Sequence, residues 1–245
     1  MDNNNKYVVG IDGCKYGWVA VMINADKQLQ VSKHRTFDAV ISTYPAAEYY
    51  LTDMVIGLAD EHHLRTLEKL AREKLKPHRT STVFTPPCRA AVYEKDYESA
   101  KQKNKVLTQK SISIQAWNIV PKIIEVDQFL QHHAEYKKII IEAHPEVCFA
   151  SLNQGSPMFF KKNIEDGEQE RTLLFKKVFP EAYDFFKEHK NYFLKKDVKP
   201  DDFLDALCLA VTGHFGTQRG LSFIRDENHQ WDSMGLEIRM AYVLL

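Results

Sequence analysis

The sequence predicts an α/β layer fold: a mixed five-stranded sheet, a three-strand meander plus two crossover strands, with helices on both faces. Three observations predict it. Short apolar runs at 6–12, 18–24 and 29–34 follow one another through turn-like segments, as hairpin-linked strands do. Two further apolar runs, 49–58 and 137–146, stand apart, separated by about eighty residues of helical pattern. The remainder is amphipathic, so strands that are apolar on both faces have helices to cover them.

Taken in order, KYVVGID (6–12) is nearly continuous in apolar residues, the pattern of a central strand buried on both faces. WVAVMIN (18–24) follows the turn-like GCKYG, and LQVSKH (29–34) follows NADKQ. FDAVISTYP (37–45) reads as a short helix stopped by Pro45, and YYLTDMVIGL (49–58) as a fourth, buried strand. Residues 61–78 turn helical, with Leu64, Leu67, Leu70 and Leu75 on one side. VFTPPCR (83–89) is a loop set by two prolines, with helices expected at about 89–103 and 111–133, the second interrupted or kinked at Pro121. KKIIIEAHPE (137–146) is the fifth strand, ending in a proline-containing turn. DGEQERTLLFKKVF (166–179) is an amphipathic helix with acids in its first turn and lysines in its last. Pro200 precedes another helix, and the tail from about 219 reads as a strand pair. No repeat, low-complexity tract or linker interrupts the chain, so 1–245 reads as a single domain with a helical insertion at about 60–135. His62-His63 and His132-His133 read as surface helix residues, and Trp18 and Trp117 as core.

Composition narrows the setting. Lys plus Arg and Asp plus Glu both number 33, so no global basic field announces a polyanion. Locally, residues 61–110 hold twelve Lys/Arg against six Asp/Glu, the balance of a polyanion-facing patch or of a solvated helical face. The four cysteines, Cys14, Cys88, Cys148 and Cys208, lie far apart with no C-x-x-C pair, which argues against a disulfide framework or structural zinc. MDNNNKYVVG has neither a basic leader nor a long apolar core, and no run approaches the roughly 18–20 apolar residues of a membrane span. A cytoplasmic protein without membrane attachment is expected.

The chemistry is carried by acids. Asp12 ends the first strand, Asp53 lies inside the fourth, and Glu142 ends the fifth. In open α/β sheets ligands gather at the carboxyl ends of the strands. Carboxylates converging there repel one another, and Mg²⁺ or Mn²⁺, which favour oxygen-only ligand sets, is the simplest remedy. In KPDDFLDALCLAV (199–211), Asp202 and Asp205 are three apart and share a helix face, so both can reach one ion. Bland readings stand beside this one. Asp12 can form an Asx-turn before Gly13, Asp53 can be a solvent-facing acid, Glu142 can belong to a turn or pair with His144, and Asp201 can simply cap its helix after Pro200.

The segments GIDGCKYGWVAV (10–21), TDMVIGL (52–58), STVFTPPCRAAV (81–92), SIQAWNIVPKIIEVD (113–127), IIEAHPEVCFASL (140–152), GEQERTLL (167–174) and DDFLDALCLA (201–210) resemble a known family. This is domain-of-unknown-function family 429, predicted ribonuclease H-like nucleases whose plan is similar to that of Holliday-junction resolvases of the RuvC type. The resemblance implies a ribonuclease H-like sheet. It implies Asp12, Asp53 and Asp205 as metal ligands, with Asp202 completing the pair and Glu142 a nearby fifth acid. Arg89, Lys122, Lys162 and Arg171 would contact phosphate. The implied activity is two-metal phosphodiester hydrolysis of DNA or RNA with Mg²⁺ or Mn²⁺, leaving a 3′-hydroxyl and a 5′-phosphate. Two positions depart from the family's pattern: Val55 stands where its D-x-P-I-G-L motif has proline, and Glu68 where aspartate is usual. Fold alone does not establish activity. A catalytically silent nucleic-acid or nucleotide-binding relative is the first alternative. A phosphotransferase of the actin-like class is the second, because GIDGCKYGW also resembles that class's first phosphate loop. No second glycine-rich loop accompanies it.

Overall fold

The computed structural model describes residues 6–245, so the reading of the first five residues lies outside it. The sheet is built from β1 (Tyr7–Gly13), β2 (Trp18–Asn24), β3 (Leu29–His34), β4 (Tyr49–Thr52) and β5 (Ile140–Glu142), in the order β3-β2-β1-β4-β5. β1–β2 and β2–β3 are antiparallel, whereas β4 pairs parallel with both β1 and β5. This is the expected ribonuclease H-like sheet, a meander extended by two crossovers.

Alternation along the strands splits the core into two layers, because successive side chains point to opposite faces. Val8, Val19, Val21, Leu51 and Ile141 face one layer, which is closed by α10 (Pro200–Arg219) with α7 (Pro145–Leu152), α8 (Glu165–Val178) and α9 (Pro180–His189). Val9, Ile11, Trp18, Ala20, Tyr50 and Ile140 face the other, closed by α1 (Phe37–Thr43) and α6 (Val120–His132). Trp18 is fully buried, as expected, and Trp117 is partly buried against the second layer.

Several elements differ from the sequence expectation. The fourth strand ends at Thr52, not near residue 58. The Asp53 N–H still donates to the Ile11 carbonyl at 2.9 Å, but beyond it the backbone is satisfied by side chains. Glu142 accepts from Ile56 N–H, Arg65 donates to the Ile56 and Gly57 carbonyls, and Asp232 accepts from Leu58 N–H. The helix expected over 61–78 is α2 (Leu67–Lys74) alone. Asp60 accepts from the His62 and His63 N–H groups and holds both histidines in a turn. The helix expected over 89–103 divides into α3 (Arg89–Val92) and α4 (Tyr97–Thr108), where Asp96 caps a fresh start by accepting from Ser99 N–H. The stretch 111–133 is interrupted at Pro121, as expected, not kinked. The proline sits in the first turn of α6, after the short α5 (Ile114–Asn118), where a missing N–H costs nothing. α6 also packs on the sheet, so the last helix of the expected insertion is the crossover helix itself. The turn after β5 opens directly into α7, with Pro145 in its first turn, and α9 is an additional helix. The tail forms the expected pair, β6 (Ser222–Ile224) with β7 (Met240–Tyr242), joined to the main sheet by an Ala143–Ala241 bridge. No helix among the described residues is long and apolar enough to cross a membrane.

Candidate metal centre

Three elements deliver one carboxylate each to the carboxyl edge of β1 and β4. Asp12 is the penultimate residue of β1, Asp53 follows β4, and Asp205 lies in the second turn of α10. α10 can reach β1 because of Gly10. A Cβ there would stand 2.1 Å from the Ala206 carbonyl oxygen and 2.3 Å from the Ala210 nitrogen. With no side chain between them the two backbones touch, and Asp205 comes to rest over Asp12. One ligand oxygen from each of Asp12, Asp53 and Asp205 lies within 4.8 Å of the others.

The cluster is buried and under electrostatic tension. Asp12 and Asp205 are 7% and 1% exposed, burial that a lone carboxylate does not tolerate cheaply. Burial, and then the charges of Asp53 and Asp205, push the Asp12 carboxyl well above the usual range. Burial and the Asp205 charge push Asp53 up to about 7. Lys162 supplies an ammonium, bonded to Asp205 Oδ2. Burial works against its charge, but Asp205, Asp12 and Asp53 hold it above the ordinary lysine value. Asp205 Oδ1 is buried with no hydrogen-bond partner among the described residues. An all-carboxylate, oxygen-only donor set with one orphaned oxygen fits Mg²⁺ or Mn²⁺.

The remaining predicted residues have other places. Asp201 does not cap α10. Pro200 takes the first helical position and Lys199 the cap, so Asp202 at the third position reaches back and accepts the Lys199 N–H at 3.0 Å. Asp202 lies outside the three-acid cluster but close enough for its charge to raise Asp12 further, while burial lifts Asp202 itself to about 6. Asp201, one turn before Asp205, lines the adjoining cavity of about 420 Å³. Glu142 is turned away from the cluster. Its oxygens accept from Arg65 Nη2 at 2.6 Å and from Ile56 N–H at 2.8 Å, and burial pushes it up to about 7 despite the opposing arginine. Arg65 also grips Glu68 at 2.6 Å, so the residue that departs from the family pattern closes the loop behind Asp53.

Of the four predicted phosphate contacts, only Lys162 lines the acid cavity. Arg89 is bidentate to Asp127 at 2.7 and 2.9 Å and also bonds Asp232, tying the helical insertion to the tail. Arg171 is fully buried on Glu146 at 2.5 Å. Lys122 donates to the Gly17 carbonyl and lies over the Trp18 ring, clamping the first hairpin. Sequence reasoning overlooked Glu146 and offered His144 only as a partner for Glu142, which takes Arg65 instead. Glu146 lines the cavity with one buried oxygen that has no hydrogen-bond partner among the described residues, and burial, against the pull of Arg171, raises its carboxyl. His144 caps α7 through Nδ1, which accepts the Glu146 N–H, and burial lowers its basicity. The signal was present in EAHPE: Pro145 starts a helix, which separates the directions of Glu142 and Glu146.

No match was found among curated proteins or among solved structures. The family described as "Protein of unknown function (DUF429)" matches residues 10–229, nearly the whole chain and every element of the site, and the protein belongs to that family.

Proposed function

We propose that this protein is a divalent-metal-dependent nuclease that hydrolyses phosphodiester bonds in DNA or RNA in the cytoplasm. The observation that carries this reading is the buried convergence of Asp12, Asp53 and Asp205 with an unpartnered oxygen on Asp205. These three would hold Mg²⁺ or Mn²⁺, which when bound supplies the chemistry of metal-assisted hydrolysis, a lowered pKa for water and charge compensation on the leaving oxygen. The chain's own contribution is positional. Gly10 and the apolar face of α10 fix Asp205 over the sheet, the Arg65 bridge fixes the loop that carries Asp53, and the Asp12 carboxylate is oriented by the Gly13 N–H at 2.7 Å. Lys162 and Arg79 bring positive charge to the same cavity, where the anionic backbone of a substrate needs compensation.

One observation favours a catalytically silent relative: Lys162 already occupies part of the place of a cation on Asp205. The phosphotransferase reading has less support. Cys14 and Gly17 exchange backbone hydrogen bonds at 2.9 and 3.2 Å, so the first hairpin turn is tight, and Lys122 sits on it. The deciding experiment incubates the purified protein with branched, duplex, RNA–DNA hybrid and single-stranded substrates plus Mn²⁺. Cleavage is expected, and it is expected to disappear in Asp12→Asn and Asp205→Asn. No cleavage of any substrate, or cleavage that survives both substitutions, overturns the nuclease reading.

A further inference from the structure

The acids make one wall of the 420 Å³ cavity, and a segment of different character makes the other. Lys161, Lys162 and Arg79 line the cavity, and Phe159 and Phe160 directly precede Lys161 in the chain. Phe159 is 57% exposed and Phe160 38%. Their rings meet edge-on at 5.0 Å, and His78 packs against Phe159 at 4.8 Å. Scattered apolar residues on a surface are ordinary, but two exposed rings in contact, next in the chain to two lysines that line a cavity of acids, are not.

The loop is held, and held with its rings outward. The Phe159 and Phe160 N–H groups both donate to the Glu170 carboxylate, at 2.8 and 3.0 Å. The Phe159 carbonyl accepts from Arg79 and the Phe160 carbonyl from the buried Arg171, each at 3.1 Å. Gly167 lets the start of α8 press against the loop, since a Cβ there would lie 1.9 Å from the Lys161 carbonyl oxygen. Four backbone groups are thus anchored while the two phenyl rings stay partly exposed. Lys162, three residues beyond Phe159, reaches Asp205, so the chain between them spans at most about 11 Å.

We infer that this loop is a stacking platform for a single-stranded polynucleotide. A base lies on Phe159, and the backbone phosphates follow Lys161 and Arg79 into the cavity toward the acids. Aromatic faces beside a cationic groove bind single strands with little regard to sequence, because every base presents a π-face. A duplex hides those faces, and the cavity is on the scale of one small ligand, narrower than a double helix needs. The direction of travel rests on the nuclease reading, whereas the stacking does not.

The test measures binding apart from cleavage. Fluorescence anisotropy of the full chain is read with labelled oligo-dT, oligo-rU and a blunt duplex, in EDTA and in Ca²⁺. Single strands are expected to bind more tightly than duplex, with DNA and RNA arms alike, and Phe159→Ala to weaken binding about 5- to 100-fold. Phe159→Trp is expected to retain binding and to gain an emission that oligonucleotide quenches. Because Phe159 is exposed, thermal melts of these variants should match wild type, which separates lost contact from lost fold. Equal affinity of Phe159→Ala and wild type, or duplex bound as tightly as single strand, overturns the inference. So does self-association of the wild type that Phe159→Ala abolishes without changing oligonucleotide affinity, which would make this face a contact between copies. Binding through Phe159 without cleavage of any substrate leaves the platform standing and removes only the nuclease.

Discussion

Gly10 of β1 and Ala206 of α10 are in backbone contact, so close that a methyl group on Gly10 would stand 2.1 Å from the Ala206 carbonyl oxygen. The neighbour is helix backbone and cannot rotate aside, so Gly10→Ala must lift α10 from the sheet. The expected cost is about 3 kcal/mol, from overpacking, or about 6–12 °C in melting temperature. Because lifting α10 carries Asp205 away from Asp12, the variant should also lose the stabilisation that Mn²⁺ is expected to give the wild type. A folded Gly10→Ala protein that Mn²⁺ still stabilises fully would contradict this account of the site.

The acid cluster predicts how metal binding depends on pH. Burial and the Asp205 charge raise Asp53 to about 7, and burial with the charges of Asp53 and Asp205 raises Asp12 well above the usual range. A carboxyl raised in the folded state contributes stability that is fully present below its unfolded value, near 4, and is lost as pH rises through about 7. Metal must displace those protons, so its affinity should run the other way and tighten as pH climbs from about 6 to 8. Calorimetry in buffers of different ionisation enthalpy should show proton release on Mn²⁺ binding. A pH-independent affinity without proton release would place the ion elsewhere.

Lys162 neutralises one of three crowded carboxylates and competes with any cation for Asp205. Lys162→Met should therefore lower the stability of the metal-free protein by about 1–2 kcal/mol, between the values for exposed and buried pairs. The same change should tighten Mn²⁺ binding, since the competitor is gone. Thermal melts with and without Mn²⁺ read both effects, and their opposite signs distinguish a competitor from a ligand-positioning lysine.

Arg65 stands between two buried carboxylates, Glu142 and Glu68, at 2.6 Å from each. Arg65→Met leaves both without a counter-charge and should cost about 3–5 kcal/mol in urea unfolding. The loss should be larger at pH 8 than at pH 5. Glu142, already raised to about 7 by burial, takes up a proton on the acid side and relieves the unpaired charge there. Equal losses at both pH values would show that Glu142 stays ionised throughout.

Much of this was legible in the chain. The meander appears at residues 6–34 because each strand is a short apolar run between turn residues, and the observed strands agree to within a residue. The acid in the second turn of α10 stood out because Asp205 is surrounded by Leu204, Ala206, Leu207 and Cys208. Less legible were the boundaries set by side chains reaching backbone from far away. β4 ends at Thr52 because Arg65, Glu142 and Asp232 satisfy the residues that follow, and apolar content alone does not reveal that.

By itself the sequence determined the sheet, its crossovers and the acids at its carboxyl edge, since short continuous apolar runs and strand-end carboxylates are local properties. Only the tertiary structure decided which charges meet. Asp202 and Glu142 carry the same group as Asp53 and Asp205, yet the first is spent on a helix cap and the second on Arg65. Arg89 and Arg171 likewise went to buried partners, while Lys162 went to the acids. A buried charge takes whichever counter-charge and hydrogen bonds the packing brings within about 3 Å, and that is settled by elements distant in the chain.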